Sequence, residues 1–242
     1  SSPDGYTLLL SSDGPIVINP SLYPSLPFNP LRDLTPVVLA TSVAFYLLAA
    51  PDFPANSVQD LIALARQHPD KYSYASSGYG SQHHLAGELL KTLGGISLVH
   101  VPYKGYGPAV ADVMGGKIEL CFGSVAAALG IVKGKKVKAL AVTGRERFAG
   151  TPEIPTMIES GLRDFEIRAW LGLMAPAGTP RAVIDRLYAE SARALKLPEV
   201  AQRFAALGLE IHAAGPEEFA ARIRSDEKMW SGIVKASGAK LD

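Results

Sequence analysis

The sequence has little that would mark a specialised class of protein. Its 242 residues include one cysteine, Cys121, so an intrachain disulfide is excluded, and the apolar run around it predicts a small buried side chain. The 24 lysines and arginines nearly balance the 23 aspartates and glutamates, and a net charge of +1 gives no field to attract a nucleic acid. The longest apolar run, 37–50, is shorter than the roughly 18 residues of a membrane span and contains Thr41 and Ser42. We therefore expect a globular protein with no nucleic-acid partner.

Repeats, low-complexity tracts and long polar linkers are also missing. Adjacent residues His83 and His84 point about 100° apart on a helix, so they do not form the i, i+4 pair that a helical metal site uses. The remaining His68, His100 and His212 are scattered, without cysteine or acidic partners at ligand spacing. We expect no metal and no cofactor.

Strand-like and helical segments alternate along most of the chain. The expected strands cover 6–10, 37–48, 72–75, 98–101, 118–122, 137–142, 167–174 and 209–212. A helix is predicted at 58–67, where Ser57 and Asp60 make a capping box. Long helices are predicted near the end of the chain, at 181–196, 199–207 and 216–237. The alternation predicts an α/β fold with parallel sheets covered by helices.

Two long apolar strands predict the division into lobes. The runs 37–50 and 165–175 are each long enough to leave one sheet and enter another. We therefore predict that residues 1–45 and 168–242 form lobe 1 and that residues 46–167 form lobe 2. Two lobes joined by two crossing strands can close about a ligand by a hinge motion.

The segment 72–90 runs from a predicted strand through a loop of serines and glycines into a predicted helix. Small residues allow the backbone to come close to a ligand, and the free N–H groups at the helix start favour an anion. The residues that we expect to bind the ligand here are Ser76, Ser77, Gly78, Gly80 and Ser81, with the hydroxyls as additional donors. The alternative is a plain tight turn in which Ser81 is the N-cap of the helix.

Motifs of enzymes do not match this loop. A dinucleotide fingerprint needs a third glycine where the chain has His83. A nucleophile elbow needs glycines two residues on either side of Ser81, and the chain has Tyr79 and His83 there. We expect no catalytic residue, although an acyl-transfer enzyme with Ser81 as nucleophile stays the alternative.

Three further junctions carry small or hydroxyl side chains. Ser11, Ser12 and Asp13 follow the first strand. Tyr103 follows another strand, where it and Tyr106 are candidate pocket walls, and Gly123 and Ser124 form a strand-to-helix junction. Together with the 76–81 loop, these junctions suggest a shared binding mouth at the ends of the strands.

Several motifs, in this order, cover essentially the whole chain. They are PDGYTLL at 3–9, NPSLY at 19–23, HLAGE at 84–88, PYKG at 102–105, LAVT at 140–143, IPT at 154–156, WLG at 170–172 and PAGTP at 176–180. The chain closely resembles the Bug family, the periplasmic solute receptors of tripartite tricarboxylate transporters. The resemblance implies a two-lobed Venus-flytrap fold, no catalysis, and capture of a small organic acid for a membrane transporter or sensor. It also implies a periplasmic location and a monomer.

Carried over by position, the resemblance places the 76–81 loop in lobe 2 as the site of one ligand carboxylate, with Ser11, Ser12 and Asp13 facing it from lobe 1. The family commonly has aspartate where this chain has Gly123, which implies a ligand different from those of amino-acid-binding members. Family members also have a signal peptide, a strand, a glycine-rich loop and a helix before the PDGY motif. These are absent from the sequence given, so the N-terminal part of lobe 1 is expected to be missing. A protein that truly began at Ser1 would have an unstable first lobe and weak binding. A truncated interaction module that has lost its ligand is a further alternative.

Overall fold

The computed structural model describes residues 1–241, which fold into two compact units. Unit 1 comprises Ser1–Val43 and the chain from Ala169 onward, and unit 2 is Ala44–Arg168. Both contain strands and helices, so the predicted α/β class is confirmed. No helix within the described residues is both long enough and apolar enough to cross a membrane.

The strands and helices have the following bounds. The strands are β1 (Leu9–Ser12), β2 (Leu34–Ala49), β3 (Ser73–Ser76), β4 (Val99–Pro102), β5 (Leu120–Ser124), β6 (Lys138–Val142), β7 (Arg168–Pro176) and β8 (Glu210–Ala214). The helices are α1 (Asn19–Leu22), α2 (Pro30–Asp33), α3 (Val58–Gln67), α4 (Gln82–Gly94), α5 (Tyr106–Met114), α6 (Val125–Lys133), α7 (Arg181–Leu195), α8 (Pro198–Ala206) and α9 (Pro216–Ser237). A turn of π-helix, Gly14–Ile18, precedes α1.

In unit 1, β7 lies between β1 and β2, and β8 pairs with the first part of β2. The pairs β1–β7 and β2–β8 are antiparallel, with Leu9 opposite Met174 and Thr41 opposite Ile211. The helices α7, α8 and α9 belong to this unit. The prediction that the end of the chain is mostly helical is therefore confirmed.

Two buried tryptophans form the centre of unit 1. The ring of Trp170 meets Phe219 edge-on, with 5.0 Å between the ring centroids, and Trp230 is fully buried. Asp226 Oδ2 accepts hydrogen bonds from Trp170 Nε1 at 2.8 Å and from Arg222 Nε at 2.7 Å. Burying a carboxylate away from water is unfavourable, and the hydrogen bonds from these two donors offset that cost. The bond from Trp170 joins α9 to β7, whereas the bond from Arg222 lies within α9.

In unit 2, the sheet order is β6-β2-β5-β3-β4. The last part of β2 runs antiparallel to β5 and β6, whereas β5, β3 and β4 are parallel neighbours. Phe122 and Phe165 stack in the core with 5.9 Å between centroids. The buried Tyr46 hydroxyl shares a 2.7 Å hydrogen bond with Thr151 Oγ1.

Local sequence signals are accurate for some elements. Helices α3 and α9 have the predicted bounds. Ser57 caps α3, because its Oγ accepts a hydrogen bond from Asp60 N at 3.0 Å. Cys121 is buried, as predicted, and burial raises its pKa to about 12. This thiol is therefore protonated at neutral pH.

The first strand was predicted too early. Residues 6–8 lie outside β1, and Tyr6 is 94% exposed, because Asp4 Oδ1 accepts from Tyr6 N and extends the opening turn. The strand instead takes its register from β7, which places Ser11 and Ser12 inside β1 rather than in the loop after it. The prediction for β5 was also two residues early, and Gly123 and Ser124 close that strand.

Candidate functional site

The carboxyl ends of β3, β4 and β5 lie at one edge of unit 2, because these neighbouring strands are parallel. We call this the carboxyl edge. Each strand leads into a helix, and the helices begin at Gln82, Tyr106 and Val125. None of these helices has an acidic residue in its first turn. Their N–H groups and partial positive charges therefore converge on one edge with no carboxylate of their own in those turns, which suits an anionic ligand.

The 76–81 loop connects β3 to α4 at this edge. Two of its residues adopt backbone conformations that favour glycine, with φ of +131° at Gly78 and +71° at Gly80. A side chain is strained at either position, so the glycines determine the path of the loop. The loop is also held to its neighbour, because Tyr103 N donates to Ser76 O at 3.0 Å.

The hydroxyls of the loop have partners within the protein. Ser81 caps α4, since its Oγ accepts from His84 N at 3.2 Å and donates to Gly78 O at 2.7 Å. Ser76 Oγ accepts from Gly78 N at 3.1 Å and shares a 2.7 Å hydrogen bond with His100 Nε2. These hydrogen bonds shape the loop, because serine side chains that bond to nearby backbone groups stabilise tight turns. The expected role of the hydroxyls as additional donors for the ligand stays a prediction.

The side chain of Ser77 also has a hydrogen-bond partner. Its Oγ shares a 2.8 Å hydrogen bond with His83 Nδ1. The backbone differs, because the N–H groups of Ser77, Tyr79 and His83 have no hydrogen-bond partner within residues 1–241. By contrast, the N–H of Gly80 donates to His84 Nδ1 at 3.1 Å. The donors that the loop leaves for a ligand are therefore peptide N–H groups.

Histidines support the loop in their neutral form. Burial lowers the pKa of His83 to about 4. Burial, and after it the neighbouring His84, lowers the pKa of His100 to about 4. The rings of His84 and His100 stack with 4.0 Å between centroids, an arrangement that two cations would oppose. The histidines that bond to the serines of the loop are therefore uncharged at neutral pH. No group of three or more metal-ligating side chains occurs in the described part of the chain.

The remaining predicted residues of unit 2 border the same edge. Tyr103 directs its hydroxyl to Asp112 Oδ2, at 2.8 Å, so that hydroxyl is already bonded to α5. Ser124 caps α6 by accepting from Ala127 N at 3.3 Å. Gly123 lies directly beside the ring of Tyr106. Sequence reasoning had named Tyr106 only as a pocket wall, because nothing in its local pattern reveals this neighbour 17 residues away.

Three predicted residues belong to unit 1. Ser11 and Ser12 pair with Gly172 and Leu171 across the β1–β7 ladder. Asp13 is fully buried at the start of the π-helical turn. Their part in ligand binding stays a prediction.

The family model for the tripartite tricarboxylate transporter family receptor matches residues 1–239. The chain belongs to this family. Its relatives include BugT of Bordetella pertussis, which is 36% identical over 100% of this chain and 74% of BugT. A UPF0065 protein of Pseudomonas sp. strain P51, from the tcbD-tcbE intergenic region, is 37% identical over 96% of this chain and 69% of the relative.

Solved structures give the same result for the fold. The periplasmic binding protein BugD has a TM-score of 0.84 and 34% identity, over 100% of this chain and 81% of BugD. Rpa4515 of R. palustris with adipate has a TM-score of 0.88 and 30% identity, over 100% and 81%. MatC of Rhodopseudomonas palustris with bound malate has a TM-score of 0.82 and 31% identity, over 97% and 81%. The predicted periplasmic-binding-protein fold is confirmed.

The family decides between a receptor and an enzyme. Members of this family and the solved neighbours are solute-binding receptors, so the protein is a solute receptor, as predicted. The acyl-transfer alternative placed the nucleophile at Ser81. That hydroxyl donates to a carbonyl and accepts from a backbone N–H, and no base among residues 1–241 is hydrogen-bonded to it.

Proposed function

We propose that this receptor captures a small organic acid in the periplasm and holds one carboxylate of the acid on the 76–81 loop. The acid would then pass to the membrane subunits of a tripartite tricarboxylate-type transporter. The related Rpa4515 and MatC contain adipate and malate, which supports a small acid as the ligand class. A periplasmic site of action is inferred from BugD and from the family.

One observation carries the proposal. Peptide N–H groups without partners among residues 1–241 occur in the 76–81 loop and in the first turn of α4, on an edge where two further helices begin without acidic residues. A carboxylate accepts several hydrogen bonds at once and is favoured at helix starts. The glycines of the loop let the backbone approach the ligand. The serines and Tyr103 hold the loop in place.

The charge of the site predicts how binding responds to salt. The histidines that bond to the loop are neutral at pH 7, so the carboxylate is held by backbone dipoles and not by an opposite formal charge. Screening by salt mainly weakens interactions between exposed charges. We therefore expect the affinity to change less than about threefold between 0.05 and 0.5 M NaCl, a weak response compared with that of an exposed ion pair.

Isothermal titration calorimetry with a panel of acids tests the proposed function. The panel contains mono-, di- and tricarboxylates and aromatic acids, together with the amide and the methyl ester of the best acid as uncharged controls. The expected result is saturable binding of at least one acid and at least a tenfold loss for the uncharged controls. Equal binding of the acid and its amide would contradict the proposal, and so would the absence of binding by every acid.

A further inference from the structure

A buried hydroxyl without a partner lies at the carboxyl edge. Tyr106 is the first residue of α5, and its Oη is closed to solvent yet makes no hydrogen bond with any of residues 1–241. Buried tyrosine hydroxyls normally have a partner, and leaving such a donor unpaired is unfavourable. Burial, and after it the neighbouring Cys121, raises the pKa of Tyr106, so the hydroxyl keeps its proton and remains a donor.

The position of this hydroxyl depends on Gly123. A Cβ atom at residue 123 would lie 2.2 Å from Tyr106 Oη and 2.8 Å from its Cζ, far inside van der Waals contact. Gly123 pairs with Tyr46 within the sheet, where glycine normally weakens a strand. A glycine in such a place marks a close approach of another group, and here that group is the phenol of Tyr106.

The ring of Tyr106 is also joined to the loop that we propose as the carboxylate site. It stacks on His83, with 5.4 Å between centroids and 17° between planes. Phe45 also contacts that histidine edge-on, with 5.4 Å between the ring centroids. His83 in turn bonds to Ser77, whose N–H is one of the free donors. The ring of Tyr106 is therefore packed against a histidine that bonds directly to the loop, and its hydroxyl lies beside Gly123.

The acidic side chains Glu88 of α4 and Asp112 of α5 are already paired. Glu88 accepts from the Tyr74 hydroxyl at 2.6 Å and from Lys91 Nζ at 2.8 Å. Asp112 accepts from the Tyr103 hydroxyl and from Lys117. A ligand ammonium would compete with these partners, whereas a ligand oxygen would meet a hydroxyl that has none. The chemistry at this point favours an acceptor.

We propose that Tyr106 determines specificity by donating a hydrogen bond to a second oxygen of the ligand, a hydroxyl or carbonyl oxygen beyond the bound carboxylate. The preferred ligands are then hydroxy or oxo acids rather than plain or amino acids. Gly123 contributes by leaving room for the phenol. This inference rests on the proposed function, because it assigns the second group of the same ligand.

Tyr106→Phe tests the inference with acids that differ by one oxygen. The probes are malate against succinate and 2-oxoglutarate against glutarate, measured by calorimetry. The wild type should prefer the oxygen-bearing acid of at least one pair. The variant should lose about 5–20-fold in affinity for that acid and less than twofold for its plain partner, as expected for one hydrogen bond. An equal loss for both acids, or no loss, would overturn the inference while leaving the proposed function standing.

Thermal stability without ligand gives an independent readout. Tyr106→Phe should leave the melting temperature unchanged or raise it, because the hydroxyl has no partner to lose. Tyr46→Phe is the matched control, since that buried hydroxyl does have a partner, Thr151, and its removal should lower the melting temperature. A clear fall for Tyr106→Phe would show a structural bond and overturn the inference. If no acid of the panel binds the wild type, the proposed function fails, and the inference fails with it.

Discussion

The starts of α3 and α4 use the same kind of cap and differ in what they leave open. At α3, Ser57 caps the helix, and the carboxylate of Asp60 accepts from Asn56 N at 3.0 Å. Hydrogen bonds to this carboxylate, from the backbone of Asn56 first and then from the side chain of Ser57, lower the pKa of Asp60. At α4, Ser81 caps the helix in the same way, but the first turn has no acidic residue, and His83 N has no partner in the described chain.

The difference supports the proposal that the start of α4, and not that of α3, binds an anion. A helix start that contains its own carboxylate has already satisfied part of its need for an anion. A start without one offers the same N–H groups to a carboxylate from outside. The two helices lie in the same unit and have similar caps, so each is an internal control for the other.

The largest effect is expected from the glycines that bring the backbone to the ligand. Gly80→Ala forces a side chain onto a residue with φ of +71°, which should deform the loop and lower ligand affinity by more than tenfold. Gly161→Ala is the matched control. It has a similar φ of +92° in the same unit and no neighbouring atom that a Cβ would meet. Both variants should lose about 1–2 kcal/mol of unfolding free energy. Calorimetry and thermal melts would contradict the comparison if affinity fell equally in both.

As the pH falls, the start of α4 should lose stability before the start of α3 does. The pKa of His83 is about 4 in the folded protein and about 6.5 when unfolded, so the unfolded state binds more protons between these values. Stability is then complete above about pH 6.5 and falls as the pH drops toward 4, by about 1–2 kcal/mol at pH 5 for this one group. Denaturant unfolding at pH 7 and pH 5 measures this difference in unfolding free energy. His83→Gln should make the difference smaller, and an unchanged difference would show that His83 is not its source.

Removing the caps separates stability from binding. Ser81→Ala and Ser57→Ala should each lower the unfolding free energy by about 1 kcal/mol, the usual contribution of a serine N-cap. Only Ser81→Ala should also weaken ligand binding, by roughly three- to tenfold, because its hydroxyl positions Gly78 as well. If Ser57→Ala weakened binding equally, the loss would reflect general stability.

The smallest effect is expected from Asp60→Asn. Its carboxylate is exposed, so its loss should lower the melting temperature only slightly and leave affinity unchanged. The depressed pKa of Asp60 gives the sign of its pH dependence. Its stabilising effect is present above its unfolded pKa and is lost as the pH falls through the folded value, below the range in which His83 titrates. Melts of the variant and the wild type at pH 7 and pH 3 measure the difference.

Much of this protein could be predicted from residues that are close together in the sequence. The bounds of α3 and α9, the cap at Ser57 and the glycine loop before α4 follow from local patterns of apolar spacing, capping and backbone freedom. Motifs in a consistent order were enough to indicate the family. The exposed start of β1 was predicted less well, because the register of a strand depends on its partner in the sheet.

Only the tertiary structure decided what the loop offers to a ligand. The hydroxyl of Ser76 bonds to His100, 24 residues away, and Tyr106 occupies the space that Gly123 leaves. These contacts exist because β5, β3 and β4 lie side by side in parallel, an order that no single strand encodes. The sequence by itself determined a capped helix start without an acidic residue in its first turn. The order of the strands determined which N–H groups have no partner within residues 1–241, and it brought the ring of Tyr106 onto His83.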